Sequence, residues 1–237
     1  MQTIDTTTAT ALKSRETVAE GTMAFHFDKP DGFRFKPGQA IDLVLGEQRH
    51  AFSIVSAPSE DGIVIATRMR DSEFKRALKA TVVGGQVGID GPFGSLTLHK
   101  DPTRAAILIA GGIGITPFMS MLRQATADRL AHRIVLIYSV RRPSDAAFLD
   151  ELRDLAARNA NFRLVVTVTQ PENAGQGWKG ETGHVDEAML ARSTRELAPR
   201  PIHYLAGPPA MVAGLRQVLE AAGVDDDDIR AEEFFGY

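Results

Sequence analysis

Two glycine-bearing turns offer the clearest chemistry in this sequence. The first lies in AILIAGGIGITPF, where Gly111, Gly112 and Gly114 leave bare backbone between an apolar run and a helix-like segment. Backbone without side chains lets an anion approach closely, and the free N–H groups at a helix start attract it. Thr116 is suited to cap that helix, and Pro117 suits its first position. The pattern indicates a cradle for a diphosphate, and a tight turn needed only for packing is the alternative.

A second turn of the same kind lies further along the chain. The run IHYLAGPPAMV places Gly207 and Pro208 between an apolar segment and a helix-like one that carries Met211. In open α/β sheets, ligands bind beside the carboxyl ends of the parallel strands. Two glycine turns at such strand ends fit a nicotinamide dinucleotide lying across the sheet edge. The first turn reads GGxGxTP rather than GxGxxG, so the usual dinucleotide fingerprint is absent.

The segment YSVRRPSD bears on which dinucleotide would be bound. An acidic residue at the end of this predicted strand would favour the ribose hydroxyls of NAD. Ser139, Arg141 and Arg142 stand there instead, and they could hold a 2′-phosphate by charge-assisted hydrogen bonds. A solvated basic loop at a strand end is the alternative. The pattern favours NADPH over NADH, and both cofactors stay open.

The elements that must position these turns change character near residue 100. Before it, short β-like runs separated by Gly, Pro and Asp turns predict an antiparallel barrel or sandwich. One helix, SEFKRALKA, interrupts them and is capped by Ser72. After it, continuous apolar runs alternate with helical patterns, one of them opened by Ser144, and predict a parallel sheet covered on both faces. The sequence thus predicts two domains, residues 1–100 and 101–237.

The composition of the chain narrows the kinds of partner that are open to it. The formal net charge is -3 and there is no long basic run, which disfavours nucleic acid and anionic membranes. The chain has no cysteine, so it carries no disulfide, thiolate zinc site or Cys-ligated iron–sulfur cluster. Glycines and a proline interrupt the uncharged stretch 105–122, so we expect no membrane span. No signal peptide and no histidine pair with zinc-ligand spacing are recognisable, so we expect a cytoplasmic protein without a metal site.

Five motifs, in order along nearly the whole chain, resemble those of the ferredoxin–NADP reductase superfamily. They are HAFSIVSAP, GPFG, AGGIGITP, AGPPAMV and AEEFFGY. In that order they resemble the flavin motif, the turn closing the flavin barrel, the nicotinamide pyrophosphate loop, the Cys-Gly-x-x-x-Met segment and the acidic–aromatic terminus. Ala206 stands where the family often has cysteine. The resemblance implies an antiparallel Greek-key β-barrel that binds flavin, followed by an α/β parallel-sheet domain that binds NAD(P)H, without an iron–sulfur domain.

The resemblance also implies roles for residues of the barrel domain. Hydride would pass from nicotinamide C4 to flavin N5, with Ser53 hydrogen-bonding near N5 and Phe52 packing along the flavin. The motif's arginine falls on His50, with Arg49 one place earlier, and both are expected to contact the cofactor. Neighbours in a strand face opposite sides, so Arg49 could replace the motif's arginine only through a bulge. The remaining implied flavin contacts are Ala51, Thr67, Arg68 (or Arg70 for the diphosphate charge), Met69 and Ser72. FAD is expected rather than FMN; a plain strand core for Phe52 and a simple helix cap for Ser72 are the alternatives.

The end of the chain resembles the part of the family that lies against the flavin. Its acidic and aromatic residues imply that Glu233 and Tyr237 lie near the reacting atoms, and that Phe235 and Tyr237 help to cover the flavin face. Tyr237 would then be a lid that nicotinamide displaces. A frayed polar end is the alternative.

The activity implied by the resemblance is that of an FAD-dependent NAD(P)H reductase. Because the chain has no cysteine to hold an iron–sulfur cluster, its electron acceptor would be a separate protein, such as a ferredoxin, a flavodoxin or an oxygenase component. A reductase of free flavin or quinone, and a regulatory subunit that binds flavin for structure, are the alternatives. The sequence predicts no oligomeric state.

Overall fold

The computed structural model describes residues 7–175, 178–197 and 200–235. The strands of its first half are β1 (Thr8–Ala19), β2 (Thr22–Asp28), β3 (Ala40–Leu45), β4 (Gln48–Ser53), β5 (Gly62–Arg68) and β6 (Gln86–Phe93). They form one six-stranded antiparallel sheet in the order β4-β3-β6-β1-β2-β5. The sheet curls so that β4 approaches β5, and the chain joins the two edges through a bridge between Ile54 and Ile65. The predicted antiparallel barrel is confirmed in this barrel-like form, which is not closed by a continuous ladder.

The interior of the barrel is filled by alternate residues of its strands. Phe25 and Phe27 of β2 are fully buried and pair side by side with Ile65 and Ile63 of β5 on the side that faces the barrel core. Val64, between the two isoleucines, is also buried, in the core cluster that it shares with the second half of the chain. Helix α1 (Glu73–Ala80) covers one side, and its N-cap is Ser72, as predicted from the sequence.

The second half of the chain is built on parallel strands. These are β7 (Ala106–Gly111), β8 (Ile134–Val140), β9 (Phe162–Val168), β10 (Glu181–Thr182), β11 (Ile202–Gly207) and β12 (Ile229–Glu233). They pair in the order β10-β9-β8-β7-β11-β12. The helices are α2 (Thr116–Ala127), α3 (Leu149–Arg158), α4 (Glu187–Thr194) and α5 (Pro209–Ala221). Every residue of β7, β8 and β11 is buried, because hydrophobic clusters cover both faces of the sheet.

One predicted helix start is wrong. The sequence pattern suggested that Ser144 opens the helix after β8, but α3 begins at Leu149. Residues Pro143–Asp145 form a short 3₁₀ turn instead, and Phe148 turns the chain with a positive φ of 61°. This detour buries the Phe148 side chain in the core and points the Asp145 carboxylate at Arg142. Tertiary packing therefore decides where this helix begins.

Residues 94–105 connect the two sheets and are fixed to the parallel one. The backbone N–H of His99 donates to the Tyr204 hydroxyl at 2.8 Å, and a His99 ring nitrogen contacts the same oxygen. Arg230 donates to the Thr97 carbonyl at 2.7 Å. The predicted boundary between residues 100 and 101 falls within this connection and stays a prediction. Within the described residues, no helix combines the length and the apolar character that crossing a bilayer demands.

His203, near the start of β11, makes the stability of the fold depend on pH. Its side chain is 6% exposed, and burial lowers its pKa to about 4, against a partial rise from Asp228. Between this value and the ordinary histidine value near 6.5, the unfolded chain binds a proton that the folded chain does not. The contribution of neutral His203 to the free energy of unfolding is therefore fully present above pH ~6.5. It is lost as the pH drops toward 4, by about 3 kcal/mol for a pKa shift of this size.

The His203→Gln variant tests this dependence. Urea unfolding measures the free energy of unfolding of both proteins at about pH 7.5 and at about pH 4.5. Between these pH values the unmodified protein should lose about 2–3 kcal/mol more than the variant loses. An equal loss in both proteins would show that His203 does not carry the dependence.

Candidate functional site

The two glycine turns lie side by side, because β7 and β11 are adjacent in the parallel sheet. Gly114 packs so closely on the second turn that a Cβ there would lie 2.2 Å from the Ala206 carbonyl oxygen. Gly207 in turn lies against the backbone of Gly111. Gly112 differs: its φ is +54° and open space lies in front of it. Gly114 and Gly207 thus let the turns touch, while Gly112 faces the space where a ligand would lie.

That space is a groove of about 480 Å³ at the carboxyl edge of the parallel sheet, here called the sheet-edge groove. The predicted residues that line it are Gly111, Gly112, Ser139, Arg141, Pro208 and Met211. Its other walls include Thr169, which follows β9, and His184, which precedes α4. The groove lies where parallel α/β sheets bind ligands.

A second groove, of about 390 Å³, follows the open side of the barrel where β4 approaches β5. We call it the barrel groove. The predicted residues that line it are His50, Ala51, Phe52, Ser53, Thr67, Arg68, Ser72, Thr116 and Phe235. Other parts of the wall are formed by Ala66, Arg70, Asp71, Phe74, Lys75, Ile113 and Phe234.

The two grooves adjoin and share three lining residues, Arg68, Arg70 and Ile113. Arg68 ends β5, Arg70 lies two residues beyond it, and Ile113 lies in the first glycine turn, so each half of the chain contributes to this junction. A ligand in one groove would therefore lie close to a ligand in the other.

Ser53 carries an unsatisfied polar atom into the barrel groove. It is 3% exposed, and its Oγ has no hydrogen-bond partner among the described residues. Buried hydroxyls are nearly always bonded. A hydrogen-bonding group of a ligand in the barrel groove would satisfy this oxygen, which fits the implied role of Ser53.

The start of α1 places Lys75 at one end of the barrel groove, with Arg68, Arg70 and the acidic Asp71 also in the lining. Ser72 Oγ accepts a hydrogen bond from the Lys75 backbone at 3.3 Å, and Lys75 Nζ donates to the Arg68 carbonyl at 2.7 Å. Burial, and then the nearby charge of Arg70, lower the pKa of Lys75. An anion beside these groups would be stabilised by them and by the helix dipole. The arrangement suits a diphosphate.

Arg49 and Met69 are not among the residues that line either groove, so the structure gives Arg49 no support as a cofactor contact, and the backbone contact expected at Met69 stays a prediction. Arg49 lies on the other face of β4 and pairs with Asp90 at 2.5 Å and Asp42 at 3.3 Å. These two carboxylates come from neighbouring strands on that same face, so Arg49 is used in the sheet. Met69 packs against the barrel core instead. His50, in contrast, lines the barrel groove and contacts the Phe74 ring, with the ring centroids 4.3 Å apart.

Arg142 does not line the sheet-edge groove, so the structure gives no support to its predicted contact with a 2′-phosphate. It forms two hydrogen bonds with Asp145, at 2.9 and 3.3 Å, and an ion pair with Glu20 at 3.5 Å. Of the two neighbouring arginines, only Arg141 lines the groove.

Thr116 and Pro117 occupy the helix start differently from the prediction. A 3₁₀ turn, Gly112–Ile115, precedes α2, so the N-cap of α2 is Ile115 and Thr116 is its first residue. The Thr116 hydroxyl donates to the Ile113 carbonyl at 3.0 Å rather than accepting from the helix. Pro117 is buried in the first turn and lines neither groove.

The end of the chain brings an aromatic pair, but not the predicted acid, to the barrel groove. Phe234 and Phe235 line the groove, and the Phe235 side chain is 80% exposed. Glu233 is exposed and lines neither groove, while burial raises the pKa of its neighbour Glu232. Tyr237 lies outside the described residues.

Sequence reasoning missed several residues of the two walls. Ile113 lies inside the glycine motif, so its position could have indicated a place in the groove. Its aliphatic side chain gave no further indication. Thr169 directly follows β9, the strand that pairs with β8. Its position at a strand end was therefore the signal that could have placed it in the groove. His184 lies in a loop far from any motif, and no sequence signal pointed to it.

Comparison with known proteins agrees with this architecture. The family model for the oxidoreductase NAD-binding domain matches residues 108–217, which contain both glycine turns. The fold and the sheet-edge groove thus define a two-domain protein with an oxidoreductase nucleotide-binding domain. The ferredoxin–NADP reductase B of Sorangium cellulosum is 30% identical over 224 residues, which cover 88% of this chain and 89% of that protein. The chain therefore belongs to the ferredoxin–NADP reductase family.

Other relatives include larger proteins. The glycine betaine monooxygenase reductase subunit of Chromohalobacter salexigens is 30% identical over 227 residues, covering 93% of this chain but only 61% of that protein. The chain thus spans about three fifths of such relatives. The ferredoxin NADP⁺ reductase from Neisseria gonorrhoeae, solved with bound FAD and NADP, superposes with a TM-score of 0.82 at 23% identity, covering 97% of this chain and 99% of that one. This superposition shows that the fold is shared.

Proposed function

We propose that this protein is an FAD-dependent NAD(P)H reductase that passes electrons to a separate protein. The observation that carries the proposal is that the two grooves adjoin, with Arg68, Arg70 and Ile113 lining both. One groove has the glycine turns of a dinucleotide site and the other has a buried, unpartnered serine oxygen. Two cofactors lying in these grooves would meet at the junction. The names of the relatives, which include reductases of oxygenases and of ferredoxin, support the same activity.

The residues of the barrel groove fit FAD. Ser72, the free N–H groups at the start of α1 and the cations Arg68, Arg70 and Lys75 would hold a diphosphate. Ser53 would donate to, or accept from, the polar edge of the ring system, and Phe52 would pack beside it. Bound flavin supplies acceptance of a hydride and release of its two electrons one at a time.

The residues of the sheet-edge groove fit a nicotinamide dinucleotide. Gly111 and Gly112 would leave room for the pyrophosphate, while Pro208 and Met211 would support the nicotinamide side of the groove. Ile113, which is half-buried at the junction, would help to keep water away from the meeting point. The task of the protein in this proposal is to orient the two cofactors and exclude solvent.

The acceptor in this proposal is a ferredoxin, a flavodoxin or an oxygenase component, and the location is cytoplasmic. The relatives named as reductase subunits or components of glycine betaine and propane monooxygenases support an oxygenase component. With NAD(P)H as donor, kcat/KM for such protein acceptors should exceed kcat/KM for quinones and free flavin. Equal or greater efficiency with the small acceptors would contradict a protein acceptor and identify a small-molecule reductase.

Arg141 should set a preference for NADPH over NADH. It lines the sheet-edge groove with Ser139, and a charge-assisted bond to a 2′-phosphate would be lost in Arg141→Gln. We expect kcat/KM for NADPH to fall about tenfold or more relative to that for NADH, the effect of losing one hydrogen bond to a charged group. Arg142→Gln is the matched control and should leave the ratio unchanged, because its guanidinium binds Asp145 and Glu20. An unchanged ratio in Arg141→Gln would remove the 2′-phosphate role.

A further inference from the structure

A nearly buried carboxylate lines a groove that is otherwise suited to anions. Asp145 is one of the residues of the sheet-edge groove, and its side chain is only 6% exposed. A carboxylate here repels the pyrophosphate of a dinucleotide, so its position costs binding energy unless it serves another purpose. A carboxylate only accepts hydrogen bonds, so Asp145 can make none to a phosphate.

The contacts of Asp145 cross between the two halves of the chain. Arg142 holds the carboxylate with two hydrogen bonds. The same carboxylate lies 3.8 Å from a terminal nitrogen of Arg68, which belongs to β5 of the barrel. The adjacent backbone also bridges the halves, because the Glu20 N–H donates to the Ser144 carbonyl at 2.9 Å. Asp145 is therefore fixed on one half and directed at a cation of the other.

Arg68 is the side chain on which this charge acts. It lines both grooves, and its backbone is held by pairing with Thr22 and by the hydrogen bond from Lys75. Its side chain is 33% exposed, and its guanidinium is in an ion pair with Asp145. A diphosphate in each groove would attract the guanidinium away from the junction.

We propose that Asp145 is a positioning residue that holds the Arg68 guanidinium at the junction of the two grooves and thereby aligns the barrel with the nucleotide-binding half for hydride transfer. This role rests on the proposed function. Small misalignment of reacting groups slows a reaction strongly even when binding is preserved. Removing the charge should therefore affect binding and transfer in opposite directions.

The test uses the flavin-loaded protein and its Asp145→Asn variant, which keeps the shape of the side chain. We expect the variant to bind NADP⁺ about two- to fivefold more tightly, because a like charge has left the groove. We expect anaerobic reduction of its flavin by saturating NADPH to slow about tenfold. Asp150→Asn, which removes an exposed carboxylate paired with Arg153 outside both grooves, is the matched control and should change neither quantity.

Arg68→Gln and the double variant identify the residue through which Asp145 acts. If the role is correct, Asp145→Asn slows reduction little further in the Arg68→Gln background, since the coupled effects of contacting residues are not additive. Equal slowing in both backgrounds, or weaker NADP⁺ binding together with slower reduction, would overturn the role and indicate general damage. If the unmodified protein is reduced normally and Asp145→Asn changes neither NADP⁺ binding nor the rate of flavin reduction, the role of Asp145 is overturned while the proposed function stands. Flavin that no dinucleotide reduces in the unmodified protein contradicts the proposed function as well.

Discussion

Replacing Gly112 by valine should abolish dinucleotide binding while the protein keeps its flavin. Gly112 has a φ of +54° and faces the open sheet-edge groove, so a valine side chain would project into the space for the pyrophosphate. The branched side chain would also strain the left-handed backbone. We expect the dissociation constant for NADP⁺ to rise about 100-fold or more, which corresponds to roughly 3 kcal/mol. Difference spectra during an NADP⁺ titration would measure it.

Gly46→Val separates the effect of backbone strain from the effect of blocking the groove. Gly46 has nearly the same φ, +59°, also has open space in front of it, and lies in the turn between β3 and β4 outside both grooves. Both variants should lose stability, by about 1–2 kcal/mol, but Gly46→Val should bind NADP⁺ normally. If Gly112→Val binds NADP⁺ as well as Gly46→Val does, the dinucleotide lies elsewhere.

Replacing Ser53 by alanine should slow flavin reduction by about 10–100-fold, the size expected for losing one hydrogen bond that acts mainly in the transition state. The flavin should remain bound, because the cationic groups near α1 stay in place. The folded protein should lose little stability, since the Ser53 Oγ has no protein partner among the described residues to lose. Anaerobic stopped-flow measurement of the flavin absorbance with saturating NADPH gives the rate.

Ser56→Ala is the matched control for the Ser53 variant. Ser56 is fully buried a few residues away, but its Oγ accepts a hydrogen bond from the Val64 backbone at 3.0 Å. Its loss should lower the free energy of unfolding by about 1 kcal/mol and leave the rate of flavin reduction unchanged. A Ser53→Ala protein that reduces its flavin at the normal rate would remove Ser53 from the reaction.

The sequence predicted most of the fold because the signals were local. Continuous apolar runs gave the parallel strands, and the glycine turns marked the strand ends that lie side by side in the structure. The start of α3 could not be predicted, since burial of Phe148 and the pairing of Asp145 with Arg142 decide it. These are tertiary effects that override local capping preferences.

The residues of the candidate site could be predicted only where a single sequence motif forms one wall of a groove. His50 to Ser53 line the barrel groove, and Gly111 and Gly112 line the sheet-edge groove, as the motifs suggested, whereas Gly114 and Gly207 serve the packing of the two turns. The direction of Arg49 depends on Asp42 and Asp90 in neighbouring strands, and that of Arg142 depends on Glu20 in the other half of the chain. A sequence motif does not reveal partners that lie elsewhere in the chain. The junction at Arg68, Arg70 and Ile113 likewise exists only once the two halves are packed together.

The visible spectrum of the purified, FAD-reconstituted protein, before and after anaerobic addition of NADPH or NADH, tests the central claim most directly. The account predicts flavin absorption bands that bleach when at least one of the two dinucleotides is added. A protein that retains no flavin, or whose flavin bands persist with both dinucleotides, would contradict it.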